Sequence, residues 1–448
     1  MNFVPNTEKE KKQMLSFLNI NSLEELFTDV NEEIRLKGPL KLPKPLSEME
    51  IVKHMRMIGS ENSDIQKYSC FLGAGAYHHF IPSVVDHLVM RGEFLTSYTP
   101  YQAELSQGTL QSIFEFQSMI CELTKMDVAN ASMYDGASAM AEAAIMAAKY
   151  TERKKILVSR AIHPEYRQVL RTYANTFGLE IIEIGIDSGL TDLGDMESKV
   201  KESVACVLVQ SPNFFGYIEN LTDCVNIAHQ NGSLFISGVL EPISLGILKP
   251  PGDFKADIVV GEAQAFGNPL NYGGPHLGFM ATKEEFLKKL PGRISGMTVD
   301  TNGDRGFILT LQTREQHIRR ERATSNICTN QALNALAATI YLALVGKRGL
   351  RKLAEICVQR AEYACGKIAK LEVYELISKA PFFNEFTIQC SESPKKINEL
   401  LLKKKIIGGL DLRMFYQELE NCMLFCITEM NSKEDIDMLV KALDEVMN

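Results

Sequence analysis

Tyr134-Asp135-Gly136-Ala137-Ser138 stands directly ahead of an alanine-rich run, Ala139 to Tyr150. A turn of small residues feeding a helix N-terminus points backbone N–H groups and the positive end of the helix dipole at an anion, which is how many folds hold a phosphate. An ordinary cap, with Ser138 or Asp135 filling the first turn, is the commoner outcome for such a segment, and the residues alone leave both readings open. Asn271-Tyr272-Gly273-Gly274-Pro275-His276-Leu277-Gly278 gathers three glycines and a proline around a tyrosine and a histidine. That composition builds either a tight structural turn or a place where backbone closely meets a ligand or a neighbouring chain. Gly73-Ala74-Gly75 precedes Tyr77-His78-His79. Adjacent histidines suggest metal binding, but no carboxylate or cysteine stands beside them at ligand spacing, and no metal is expected. The run Arg314-Glu315-Gln316-His317-Ile318-Arg319-Arg320-Glu321-Arg322 has arginines and glutamates at i, i+4 spacings. It predicts a salt-bridged helix face, with an interface or an anion-facing patch as the alternative.

The elements that must carry these residues follow from the apolar pattern. From about Lys155, short β-branched runs alternate with amphipathic stretches. Strands are predicted over Ile156 to Ser159, Leu179 to Ile184, Val204 to Gln210, Leu234 to Ser237, Asp257 to Val260 and Gly278 to Ala281. Helices such as Pro164 to Phe177 and Leu221 to Gln230 lie between them, the rhythm of β-α-β units in an α/β sheet. A long helical zone, Asn330 to Leu371, leads into a tail where Phe386 to Cys390 and Met423 to Thr428 read as strands and Lys395 to Lys404 and Lys433 to Val446 as helices. The expected organisation is a helical arm over 1–65, a large α/β domain over 66–330, and a helical connection with a small α+β domain over 331–448. In the arm, Ser22 to Glu25 and Ser47 to Glu50 fit the capping box, and Pro39, Pro43 and Pro45 hold the chain between them extended. Such a segment is too short to bury a core and is expected to wrap another surface, an intersubunit arm.

The 448 residues provide for two or three domains, and 45% hydrophobic against 23% charged residues excludes a disordered chain. With 48 Lys+Arg against 56 Asp+Glu the net charge is -8, so no basic footprint for nucleic acid is present. The ten cysteines form no C-x-x-C pair and lie mostly in apolar runs, the pattern of reduced thiols in a cytoplasmic protein. Neither a signal peptide nor a membrane span is expected.

Taken together, several segments resemble the P-protein of the glycine cleavage system, the pyridoxal-phosphate glycine decarboxylase family, most closely its subunit 1 (alpha) type, found where the enzyme is split between two polypeptides. The matching stretches are Phe71 to Tyr77, Thr96 to Glu104, Asn130 to Ala137, His163 to Tyr166, Tyr272 to His276, Pro291 to Arg293 and Arg305 to Arg322. The resemblance implies the fold of the aspartate-aminotransferase-like pyridoxal-phosphate enzymes (fold type I), with a large domain around a mostly parallel seven-stranded sheet and a small C-terminal domain. In the catalytic type of chain a lysine forms the Schiff base with the cofactor and an aspartate at a strand end pairs with its pyridinium nitrogen. Here the lysine position aligns with Gln264, and the aspartate position falls at Ser237, near the end of its predicted strand, with Glu241 beyond it. A carboxamide forms no imine. The nearest lysines, Lys249, Lys255 and Lys283, each stand at least nine residues from position 264 and read as surface residues.

The resemblance therefore implies a non-cofactor-bearing subunit of glycine dehydrogenase (decarboxylating), with no catalytic residue of its own and no covalently bound cofactor. Pyridoxal phosphate would sit on a lysine-bearing subunit 2, in a heterotetramer of two pairs that serves glycine and the lipoyl arm of the H-protein. Tyr98, Tyr101, Glu104, Asp135, Gly136, Ala137, Ser138, His163, Gly273 and Gly274 are the candidates for a vestigial or shared pocket. A free-standing pyridoxal-phosphate enzyme using another lysine is the alternative, and a structural homologue outside glycine cleavage is a third reading.

Overall fold

A computed structural model of the chain describes residues 6–323, 325–328 and 330–446. Residues up to Ser63 and residues from Asp64 onward form two separate compact units. The first holds helices Glu8–Phe17 and Glu48–Gly59, which open on capping boxes, Thr7 with Glu10 and Ser47 with Glu50. Ser22 opens a single 3-10 stretch, Leu23–Phe27, its N–H donating to the Glu25 carboxylate at 3.1 Å. None of these helices buries a residue, so local capping alone sets their limits.

The second unit is built on seven strands: β1 (Val128–Ala129), β2 (Lys155–Ser159), β3 (Glu180–Ile184), β4 (Val204–Gln210), β5 (Leu234–Val239), β6 (Ile258–Glu262) and β7 (Gly278–Thr282). Their order across the sheet is β1-β7-β6-β5-β4-β2-β3. β2 to β6 pair in parallel, and β7 runs antiparallel to both β6 and β1. Every residue of β4 and β6 is buried. Both faces of the sheet are covered, one core gathering Val207, Val209, Val239 and Val259 and the other Cys206, Leu208, Ile236 and Val260. Period-2 alternation inside a continuous apolar run does this, since successive side chains enter opposite cores. The helix Gly136–Thr151 is buried from Gly136 to Ala148, and its alanines bring the backbone close to the sheet.

The helix Ala332–Ile368 is interrupted at Gly346, whose φ of 60° and ψ of 177° are non-helical. It leads to a four-stranded antiparallel sheet of Tyr374–Leu376, Glu385–Cys390, Cys422–Cys426 and Leu410–Asp411, backed by helices Pro394–Lys403 and Lys433–Val446. Phe71 sits in this C-terminal core, and Ser69–Cys70 pairs in parallel with Ile406–Ile407. The chain thus runs through the small domain's core before entering the large sheet.

Two local expectations are corrected. Arg314 to Arg322 is no continuous helix but a 3-10 turn, a short helix Gln316–Arg319 and a second 3-10 turn, broken where Arg320 has φ 56° and ψ −128°. Charge spacing suggested a solvated helix, yet Arg314 is spent on the main-chain carbonyls of Leu311, Gly292 and Leu290, which pins the segment instead. Strand β5 also runs two residues beyond its predicted end, so Ser237 lies inside it, between Val209 and Val259, and not at its terminus.

Candidate functional site

Asp135 caps the helix Gly136–Thr151, its carboxylate accepting from the Ser138 N–H at 2.7 Å. Two further N–H groups are left to find an anion. The structure supplies one from within the chain: Glu262, the last residue of β6, accepts from the Gly136 N–H at 3.0 Å through Oε2, and from the N–H groups of Leu277 and Gln264 at 2.8 and 3.2 Å through Oε1. The segment is capped, and its Gly136 N–H is taken by the protein's own carboxyl group. Burial raises the Glu262 pKa to about 7 against the three N–H donors, and Asp135 pushes in the same direction. Space at this point is tight, because a Cβ on Gly136 would come 2.6 Å from Tyr166 Oη.

Gln264 lies two residues on, 2% exposed. Its Oε1 accepts from the Tyr77 N–H at 2.9 Å, and its Nε2 donates to the carbonyls of Tyr77 and Asn268 at 3.1 and 2.6 Å. The carboxamide is thus a brace between the Gly73 to Tyr77 loop and the turn that follows β6. That loop needs its glycines. A Cβ at Gly75, where φ is +97°, would come 2.9 Å from His163 Cδ2, and one at Gly73 would come 2.5 Å from Glu385 Oε1. His163 opens the helix Pro164–Phe177, accepting from the Glu165 N–H through Nδ1 and donating from Nε2 to the Ala74 carbonyl at 2.8 Å. Burial lowers its pKa, in keeping with this neutral tautomer.

Behind the loop lies a buried acidic group. Glu385 accepts from the Ala74 N–H at 2.6 Å and the Tyr77 hydroxyl at 2.8 Å, and burial holds its pKa up at about 7. His79 donates from Nε2 to Glu241 at 2.9 Å and from Nδ1 to Glu429 at 2.7 Å. Burial alone would lower its pKa, yet the two carboxylates raise it to about 10. The sequence showed no carboxylate at ligand spacing beside the histidine pair, and the fold brings two from a distance. His79, Cys357 and Glu429 lie within 4.8 Å of one another, but both ring nitrogens are already hydrogen-bonded and the imidazolium itself provides the positive charge.

Of the pocket candidates, Asp135, Gly136, Ala137 and Ser138 form the helix start and His163 stands beside the glycine loop. Tyr98, Glu104 and Gly273 are exposed, and Gly274 lies in the turn after exposed Tyr272. Tyr101 instead receives a hydrogen bond from Arg293 at 3.2 Å. Ser237 is fully buried with its Oγ unpartnered among the described residues, and no carboxylate stands at that position. Lys283 pairs with Asp257, Lys249 lies over the Phe254 ring at 4.6 Å, and Lys255 is exposed, so each lysine is occupied away from Gln264 or in solvent. Sequence reasoning missed Glu262 and Glu385. The one available signal for Glu262 was a carboxylate closing a wholly apolar strand, two residues before Gln264.

Pyridoxal phosphate does not fit this site. Glu262 already takes the Gly136 N–H at the helix start, Gln264 provides no amine, and Ser237 provides no counter-charge for a pyridinium. No helix among the described residues is long and apolar enough to cross a membrane.

The model of the family "Glycine cleavage system P-protein" matches residues 1–443. A probable glycine dehydrogenase (decarboxylating) subunit 1 of Desulfitobacterium hafniense is 55% identical over 446 residues, covering 100% of both chains. A protein of the same description from Bacillus thuringiensis is 52% identical over 444 residues, covering 99% of each. A crystal structure of glycine decarboxylase (P-protein) of the glycine cleavage system in inhibitor-bound form superposes with a TM-score of 0.91 at 44% identity, covering 100% of both chains. A sphingosine-1-phosphate lyase of Burkholderia pseudomallei shares the fold at a TM-score of 0.68 and 14% identity over 93% of each chain.

Proposed function

Since the chain belongs to the glycine cleavage system P-protein family, we propose that it is the subunit of glycine dehydrogenase (decarboxylating) that carries no cofactor of its own. The assembled enzyme decarboxylates glycine and passes the aminomethyl group to the lipoyl arm of the H-protein, using pyridoxal phosphate held by a lysine-bearing partner subunit. This chain completes the partner's fold and walls its active site, with Tyr98, Tyr101 and Glu104 as candidates for the shared wall. Two such pairs form the heterotetramer, and free thiols together with the lack of a membrane-crossing helix among the described residues fit the cytoplasm.

One observation carries this reading: the Glu262 carboxylate bound to the Gly136 N–H at 3.0 Å, in a fold whose relatives are pyridoxal-phosphate enzymes. A chain that had only lost its lysine would keep an open anion cradle, whereas this one has filled it. The test is glycine-dependent CO2 exchange with H-protein. The chain alone is expected to give none and the mixture with a lysine-bearing subunit to give turnover; comparable rates in both would overturn the proposal.

A further inference from the structure

Three arginines line one cleft of about 400 Å³: Arg160, just after β2, and Arg167 and Arg171, one turn apart on the helix Pro164–Phe177. Glu183 of β3 is the one carboxylate in that lining among the described residues, and Met414 and Phe415 from the C-terminal domain close the other side. Arg167 is buried and fully spent: Nη1 pairs with Glu183 at 2.6 Å, Nη2 donates to Tyr416 Oη at 3.1 Å and Nε to the Ile162 carbonyl at 3.2 Å. Arg160 and Arg171 are not. Arg160 gives one nitrogen to Glu418 and Arg171 one to Glu183, and the Nε and Nη1 of both make no hydrogen bond among the described residues. Their side chains are 34% and 44% exposed. The guanidiniums of Arg160 and Arg167 lie 5.9 and 5.5 Å from the Tyr416 ring centre, while Arg167 and Arg171 share Glu183 Oε1. The order is thus Arg160, Arg167, Arg171, a row whose two outer forks are open.

A guanidinium fork matches a carboxylate through two parallel hydrogen bonds. Arg167 and Glu183 stand between the outer forks, so a single compact anion meets one of them and leaves the other, whereas two carboxylates carried on one chain meet both. Met414, 71% exposed, and Phe415 give the same cleft an apolar wall, and arginine, methionine and aromatic residues are the types enriched where proteins meet. The chain as a whole carries a net charge of -8, so an acidic partner is repelled except where positive charge is gathered, and three guanidiniums against one lining carboxylate gather it here. We propose that this cleft docks an acidic segment of a partner protein, two of its carboxylates accepting from Arg160 and Arg171 and an apolar side chain between them lying on Met414 and Phe415. The surface is made by this chain's own residues and stands independently of the function proposed above.

The probe is a fluorescein-labelled peptide in which two pairs of glutamates flank a leucine, titrated with the full-length chain and followed by fluorescence anisotropy. Inorganic phosphate, succinate and a single-stranded oligonucleotide serve as competitors, and the same peptide with glutamines in place of glutamates is the neutral control. Saturable binding of the acidic peptide alone is expected, weakening as salt rises. Arg160→Gln and Arg171→Gln are each expected to weaken it several-fold and the two together about tenfold or more, while Lys395→Gln, on the exposed face of another helix, leaves it unchanged. If Arg160→Gln fails to fold, Arg171→Gln, on the exposed side of its helix, decides the matter alone. No saturable binding, equal binding of the neutral peptide, or the same loss in Lys395→Gln as in the arginine variants would overturn the proposal. Displacement by phosphate, succinate or the oligonucleotide as effective as by unlabelled peptide would overturn it too, since the cleft would then be answering to negative charge of any form.

Discussion

Tyr77 and Gln264, 187 positions apart, exchange two hydrogen bonds: the Tyr77 N–H donates to the Gln264 carboxamide oxygen at 2.9 Å, and the carboxamide nitrogen donates back to the Tyr77 carbonyl at 3.1 Å. The pair closes the glycine loop over the end of β6. At the position where family resemblance places a reactive amine, this chain has a group with one acceptor and two donors, each of them used. At position 264 the side chain braces the glycine loop.

Gln264→Lys is therefore expected to leave the chain inactive. The amine brings no acceptor for the Tyr77 N–H, a loss of about 1–3 kcal/mol. Glu262 still fills the anion cradle, and Ser237 offers no carboxylate to a pyridinium. An absorbance spectrum with pyridoxal phosphate, followed by a decarboxylation assay, checks this; robust activity from the single substitution would show that the roles of Glu262 and Ser237 are misjudged.

Glu262→Ala should reopen the cradle. Three N–H groups lose their acceptor, so the variant is expected to be less stable by about 3 kcal/mol. Inorganic phosphate should then raise its melting temperature by mass action while leaving the unmutated chain unchanged. Equal response in both proteins would mean that Glu262 does not occupy an anion site.

Stability should decline as the solution turns alkaline. Glu262 and Glu385 have folded-state pKa values of about 7 against an ordinary 4.5, and His79 about 10 against 6.5. Each holds its proton more tightly when folded, so its contribution is complete below the ordinary value and is lost as pH rises through the folded one. Melting temperatures are expected to fall between pH 5 and 8 through the two glutamates and again towards pH 10 through His79. Glu385→Gln should flatten the first decline, and a profile rising towards pH 8 would contradict this account.

Deleting residues 1–45 should weaken pairing with the lysine-bearing subunit more than it destabilises the sheet domain. The arm's helices bury nothing, yet Phe17, Ile34, Leu42 and Met49 are apolar and exposed. An obligate interface of more than about 2,000 Å² would use such residues. Co-elution of the truncated chain at unchanged affinity would remove the arm from the interface.

How far the fold could be read depended on the range of the forces involved. Pro164–Phe177, Leu221–Gln230 and Val204–Gln210 match their expected limits because proline, asparagine caps and apolar runs act within a few residues. The strand was expected to end at Ser237, but pairing with β4 continues through Gly238 opposite Gln210. Glu262 finds Gly136 across 126 positions, and His79 finds Glu429 across 350. No local pattern encodes such partners. Tyr101 was singled out as a pocket candidate, and its neighbours Arg293 and His317 emerged only once the chain was folded.

The carboxylate at position 262 also changes what the chain requires from its cell. An enzyme whose fold is completed by a bound vitamin derivative depends on nutrition for part of its stability. Here the group that accepts from the helix start is the chain's own Glu262 carboxyl, written into the gene. Under vitamin B6 starvation this chain is expected to accumulate in its folded form at an unchanged level, ready to pair as soon as a charged partner becomes available.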